Sequence, residues 1–308
     1  MTLAVSGTPN STATVGGEGV LGQTYRDIAQ DMVDYLAWAQ TDSPDAVRGG
    51  WRYEPNQGDS DMSVTQWPMI GLEAAETNWG VTVPDWVKSE LANYLTRIQD
   101  TGGGFGYRNV ASQYRNIAKT GAGIACLLWT GVQSDDERIS QARDFIAARW
   151  DSTNDGFKYV ENIGNLYAMY AVAKGSLLAQ PAIEIYGTHD WYQEYANYLI
   201  STQTSNGSWN DKTRVRGNLP LSTAWAILIL SRTVLGAAVD LPRWLILVPF
   251  GLLPPLAVWW FLSRRGSKQG AVARPVSRPY SIQPTTHRPP KPSRDQGKVV
   301  THGRPKKR

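Results

Sequence analysis

One feature constrains this chain more than any other: a glycine–aromatic cluster that recurs at a nearly fixed interval. The clusters read Gly49-Gly50-Trp51, Gly103-Gly104-Phe105, Asp155-Gly156-Phe157 and Asn206-Gly207-Ser208-Trp209. Gly50, Gly104, Gly156 and Gly207 lie 54, 52 and 51 residues apart. In the first three, a tyrosine follows two residues past the aromatic, at Tyr53, Tyr107 and Tyr159. Such a period marks a repeat architecture, in which each unit buries its apolar face only against its neighbours.

Helical patterns flank each cluster. Ahead of it, an aromatic–aliphatic pair is followed five residues on by a polar or aromatic residue: Tyr35-Leu36 then Gln40, Tyr94-Leu95 then Gln99, Phe145-Ile146 then Trp150, Tyr198-Leu199 then Gln203. Behind it runs a more apolar segment starting at Ser63, Asn116, Asn165 or Leu221, with small residues at helical spacing that permit close packing. The preceding helix carries more charge, as in DDERISQARDFIAARW from Asp135, and is expected outside. Ser63 and Asn165 are placed to cap inner helices. The unit is an outer helix, a glycine-rich turn and an inner helix. The expected fold is all-α: an α/α toroid or arc of about four helical hairpins over residues 24–238, after a disordered segment over 1–23.

The stretches Tyr94-Leu95-x3-Gln99-x4-Gly104-Phe105 and Tyr198-Leu199-x3-Gln203-x3-Gly207-Ser208-Trp209 resemble the QW repeat of squalene-hopene cyclases. The region from about Tyr25 to Gly236 resembles the prenyltransferase and squalene-cyclase repeat superfamily. The resemblance implies an (α/α) toroid in which Gln40, Gln99, Gln203, Trp51 and Trp209 are structural, tying one helix end to the next. It also implies where an acid would stand. Cyclases carry a DxDD motif at the start of an inner helix, and this chain reads Asp59-Ser60-Asp61-Met62 there. Asp61 then resembles the general acid and Asp59 its neighbour, with Met62 in place of the last Asp. The residue-level alternative is that Asp61 caps the helix or faces its dipole.

Other chemistry is narrowed by composition. A single cysteine, Cys126, excludes an intrachain disulfide framework and reads as a small core residue within GAGIACLLW. Of three histidines, two lie after residue 286, and His189 reads as a helix-start residue, so no metal site and no cofactor are expected. No G-x-S-x-G elbow, P-loop or dinucleotide fingerprint is present. With 13 Trp and 14 Tyr against 5 Phe, the aromatic load falls partly on inner helices, at Trp67, Trp129, Tyr167, Tyr170 and Trp225. These could line an apolar ligand site, for an isoprenoid or similar molecule, or simply fill the centre. Arg108, Arg115, Lys119, Arg214 and Arg216 stand in or near turns and are read as solvated or as anion contacts.

The net charge of +4 conceals a division. Residues 263–308 hold 13 basic residues and one acid, and residues 1–262 hold 18 basic and 26 acidic, so a body at −8 is joined to a tail at +12. Between them, Trp244 to Leu262 runs 19 residues without a charge, the length needed to cross about 30 Å of hydrocarbon. A transmembrane helix over 242–262 is therefore expected, with three prolines, Pro249, Pro254 and Pro255, in the uncharged stretch. The basic flank assigns residues 263–308 to the cytoplasm, as a disordered proline-rich tail that can contact anionic lipid, with no specific nucleic-acid role. The body is then expected outside, although residues 1–23 lack the basic and apolar regions of a signal peptide.

Three functions fit. The first is a membrane-anchored, non-catalytic or apolar-ligand-binding interaction module, with a protein or isoprenoid partner. The second is a terpene cyclase or prenyltransferase-like enzyme using Asp61 as general acid. The third is a carbohydrate-active toroid drawing on Asp59, Asp61 and Asp155, which the QW resemblance disfavours.

Overall fold

Thr24 starts the first helix by a reciprocal cap: its hydroxyl accepts from the Asp27 amide at 3.1 Å, while the Asp27 carboxylate accepts from the Thr24 amide at 3.3 Å. The computed structural model describes residues 8–110, 114–152, 161–211 and 218–232. Across them run α1 (Tyr25–Ala39), α2 (Met62–Trp79), α3 (Asp85–Ile98), α4 (Ile117–Trp129), α5 (Glu137–Ala147) and α6 (Leu166–Leu178). A two-residue antiparallel ladder follows, β1 (Ile185–Tyr186) and β2 (His189–Asp190), then α7 (Trp191–Thr202) and α8 (Leu219–Leu230). The described part is mainly helical, as expected.

The helices alternate between two environments. Among α1, α3, α5 and α7, one face is buried and the other presents charged or exposed residues, with Tyr35, Trp38, Trp86 and Ile200 all open to solvent. In α4 and α6 almost every residue is buried, lysines included. Side by side, α2 packs on α4, α4 on α6 and α6 on α8, while α1, α3 and α7 each pack on the inner helix that follows and α5 packs on α4. The α4–α6 contact is closest, because it is built on glycine. A Cβ at Gly121 would lie 2.7 Å from the Val172 nitrogen, and one at Gly175 would lie 2.6 Å from the Gly121 carbonyl oxygen.

The glutamines at the ends of outer helices hold successive hairpins together. Gln40 Nε2 donates to the Gly49 carbonyl at 2.8 Å and to the Val87 carbonyl, in α3, at 3.1 Å. Gln99 Nε2 repeats the pattern one unit later, to Gly103 at 3.2 Å and to Arg138, in α5, at 2.9 Å. In the third unit the indole of Trp150 makes the equivalent reach, donating to Glu194 Oε2 of α7 at 2.7 Å. Gln203 keeps the local bond, to Gly207 at 3.1 Å. Trp51 and Trp209 point back: their indole N–H groups donate to Leu36 and Leu199 carbonyls at 2.9 and 2.7 Å. A threonine of the inner helix completes the first, second and fourth turns, because Thr65, Thr120 and Thr223 accept from the amides of Trp51, Phe105 and Trp209.

Two readings change. Residues 8–23, expected to be disordered, are tied into hydrogen-bonded turns against the start of α1: Ala13 donates to Gln23 at 2.9 Å, and Tyr25 and Arg26 donate to Ser11 and Pro9, each at 2.9 Å. Their glycines permit tight turns where a low apolar content suggested none. Ser63 does not cap α2. Asp61 does, and the Ser63 hydroxyl donates to it at 2.5 Å. Among the described residues no helix is long and apolar enough to cross a membrane. The expected span and tail, together with Asp155, Gly156, Phe157, Tyr159, Arg214 and Arg216, lie outside the described residues.

Candidate functional site

The inner helices begin alike. Asp61, Asn116, Asn165 and Asn218 are the N-caps of α2, α4, α6 and α8, and each side chain accepts from the amide three residues on, at 2.8, 3.1, 3.2 and 3.2 Å. Neighbouring hairpins finish the capping. The Tyr107 carbonyl accepts from the Met62 amide at 2.9 Å, and Asp211, fully buried, accepts from the Leu166 amide at 2.8 Å. Tyr107 and Asp211 both stand two residues past their cluster's aromatic, so this position of the repeat caps an inner helix of an earlier unit.

The starts of α2, α4 and α6 surround a cleft of about 260 Å³. Tyr53, Tyr107, Tyr114 and Tyr167 provide most of its walls, with Ser63 and Lys119 among the polar residues. Tyr167 is held in place, since its hydroxyl accepts from Gln66 Nε2 and donates to the Ser63 carbonyl at 3.3 Å. Tyr107 and Tyr114 meet edge to face with centroids 5.6 Å apart, and Lys119 Nζ lies 5.8 Å from the Tyr107 ring centre.

Asp61 is completely buried and committed to its surroundings. One carboxylate oxygen takes the Val64 amide and the Ser63 hydroxyl, and the other forms an ion pair with Arg52. Arg52 is shared: its Nε lies 3.3 Å from Asp59, its Nη1 donates to the Tyr107 hydroxyl at 3.1 Å, and its guanidinium sits 4.6 Å over the Tyr53 ring. Asp59 is held further by Arg108 at 2.5 Å. Arg115 pairs with Asp100. Asp59 and Asp61 are thus brought together as expected, but around two arginines. Asp61 is fully buried, and its contacts are to the first turn of α2 and to Arg52.

Four of the five inner aromatics form one stack. Trp67 lies parallel to Tyr170 and to Trp225 at centroid distances of 6.1 and 6.0 Å, and Tyr167 tilts against Trp225 at 5.8 Å. Burial pushes the Tyr170 hydroxyl up to about 12, with Glu73 adding to the effect. Trp129 is not part of this group. It ends α4, donates to Glu76 Oε2 at 3.0 Å and lies under Lys88 Nζ at 5.1 Å. Cys126 is fully buried, and burial pushes its thiol up. His189, in β2 just ahead of the Asp190 cap of α7, is stacked on Trp150 at 5.1 Å and its Nδ1 is 2.9 Å from Glu194, a structural setting. No group of three or more His, Cys, Asp or Glu able to hold a metal occurs among the described residues.

Sequence reasoning missed a buried ion pair. Lys174 of α6 places its ammonium 3.0 Å from Glu73 Oε2 of α2, with side chains 2% and 6% exposed. Burial raises the Glu73 carboxyl and lowers the Lys174 ammonium, each against the attraction of the other. The only sequence signal was a charge inside an otherwise apolar inner run, GLEAAE and AVAKGS.

No protein-family profile matches this sequence, and a search of curated proteins found no match.

Proposed function

We propose that this chain is a membrane-anchored binding module built on an α/α toroid of the terpenoid-cyclase and prenyltransferase type, in which Asp61 serves the fold rather than catalysis. The observation that carries this reading is the double commitment of Asp61, to the first turn of α2 and to Arg52. The QW-like glutamines support the family, because Gln40 and Gln99 each join an outer helix, its turn and the next outer helix. The central aromatics support binding over turnover. Trp67, Tyr170 and Trp225 are stacked on one another, and the tyrosine-walled cleft at the inner-helix starts offers a concavity beside them. The uncharged stretch from Trp244 to Leu262 and the basic residues after it support display of the module on a membrane.

The test uses the full chain in a neutral detergent, incubated with squalene and with prenyl diphosphates. Binding without conversion is the expected result. Conversion that disappears in Asp61→Asn while the fold is retained overturns the reading and establishes Asp61 as an acid.

A further inference from the structure

A second concavity, of about 610 Å³, lies away from the tyrosine-walled cleft. One wall is the α4–α5 connection, Gln133, Ser134 and Asp135, with Arg143 of α5. The other is the stretch from Gln180 to Ile185 that leads into β1. The walls are fixed at both ends. Ser134 Oγ accepts from the Gln180 amide at 2.8 Å, and Arg143 Nη2 lies 3.5 Å from the Ile185 carbonyl oxygen. Behind the second wall, the Ile183 amide donates to Ser176 at 3.0 Å and the Ile183 carbonyl accepts from the Trp191 indole at 2.7 Å.

Three charged side chains line this cleft, and one is already neutralised: Glu184 holds Arg232 at 2.8 Å. Arg143 and Asp135 form no ion pair among the described residues, with each other or with any third group. They stand at opposite ends, Asp135 beside the Ser134–Gln180 bond and Arg143 beside Ile185. Between them the Ala182 and Glu184 amides donate to no group among the described residues. A cation at one end, a carboxylate at the other and two backbone donors between them match the groups of a short peptide with both ends free. The length agrees. Asp135 and Arg143 are eight positions apart along the start of α5, about 12 Å at ~1.5 Å per residue. A peptide of three residues spans about 10 Å at ~3.3 Å each. The volume lies within the roughly 300–1,000 Å³ of small-ligand sites.

We infer that this cleft binds a short peptide of two or three residues by its ends, the terminal carboxylate on Arg143 and the terminal ammonium on Asp135. This site is separate from the apolar-ligand reading and does not depend on it.

Titration calorimetry of the full chain in neutral detergent tests it with four probes: trialanine, trialanine amide, N-acetyl-trialanine and alanine. Trialanine is expected to bind about 10-fold or more tighter than each of the others, and to weaken as salt is raised. Arg143→Gln should weaken trialanine about 10-fold and leave the amide, which has no carboxylate, unchanged. Asp135→Asn should weaken trialanine and leave the N-acetyl peptide, which has no ammonium, unchanged. Neither side chain is buried, and circular dichroism checks that both variants fold. Equal binding of trialanine and its amide, or equal weakening of both by Arg143→Gln, overturns the inference. So does alanine binding as tightly as trialanine, or no heat with trialanine. None of these outcomes bears on the squalene and prenyl diphosphate titrations, which test the other reading.

Discussion

Lys174 and Glu73, 101 residues apart in sequence, meet at 3.0 Å between α6 and α2 with almost no exposure to solvent. A pair placed so deeply loses hydration that its attraction must offset, so each partner depends on the other. Glu73→Gln or Lys174→Met alone should each lower unfolding free energy by about 3–5 kcal/mol, whereas Glu73→Met combined with Lys174→Met should recover most of that loss. Urea denaturation of the three variants measures it. Additive losses in the double variant would refute the coupling.

The same pair sets a pH dependence whose sign follows from the two shifts. Glu73 is raised in the folded state, so its contribution becomes unfavourable as pH climbs above the ordinary carboxylate value. Lys174 is lowered, so its contribution becomes unfavourable as pH falls below the ordinary ammonium value. Both penalties coincide between those values. Relative to the double methionine variant, the wild type should therefore be least stable in the neutral range and gain on either side. Unfolding free energies of both proteins across acid, neutral and alkaline buffers would show this as a trough, and a flat difference would count against it.

Gln40 is 3% exposed and bridges two carbonyls in different units, while Gln203 makes one bond within its own turn. Removing Gln40 leaves buried acceptors without a donor. Gln40→Ala should cost about 2–3 kcal/mol and Gln203→Ala less than about 1 kcal/mol. Equal costs, read from thermal or urea unfolding, would show that the link between α1 and α3 contributes little.

The repeat was legible because its markers are local. A glycine–aromatic turn and a glutamine at fixed offsets can be read from one stretch of sequence, and the structure joins those residues directly. The alternation of charged and apolar helices was legible for the same reason, since burial leaves a periodic trace. What the chain concealed is pairing at a distance. Glu73 and Lys174 carry no sign of each other, nor do Arg52 and Tyr107, or Asp211 and the start of α6. Grouping Trp129 with Trp67 and Trp225 failed on depth rather than on face. Trp129 is the last residue of a 13-residue helix, which at about 1.5 Å per residue sets it far from the helix starts where the cleft lies. Ser63 reads as a cap because Ser is a good one, but Asp61, two residues earlier, reaches the free amide of Val64.

Gly103 has φ +83°, and a Cβ there would fall 2.1 Å from the Gln141 carbonyl oxygen of α5. Gly131 has φ +95°, and a Cβ there would meet no atom within 4 Å. The two separate backbone preference from close approach. Gly131→Ala should cost about 1 kcal/mol, the left-handed penalty alone. Gly103→Ala should cost about 3 kcal/mol or more, because α5 must also move. Similar melting temperatures for the two variants would mean that the second turn does not press against α5 in solution.

Asp61 decides between a structural and a catalytic part for this turn, and stability separates the two without knowledge of any ligand. A general acid is held for its proton and is often replaceable at little cost to folding. A cap and ion-pair partner is not. Asp61→Asn keeps an oxygen for the Val64 amide and loses the charge facing Arg52, so a loss of about 1–2 kcal/mol is expected. Asp61→Ala loses the cap as well, and should cost about 3–4 kcal/mol in all. Arg52→Met in the Asp61→Asn background should add less than it does in the wild type, because the two side chains act on each other. Urea unfolding of the cycle reads the coupling. If Asp61→Asn is as stable as the wild type or more so, the carboxylate is not anchored by Arg52 and the acid reading regains its ground.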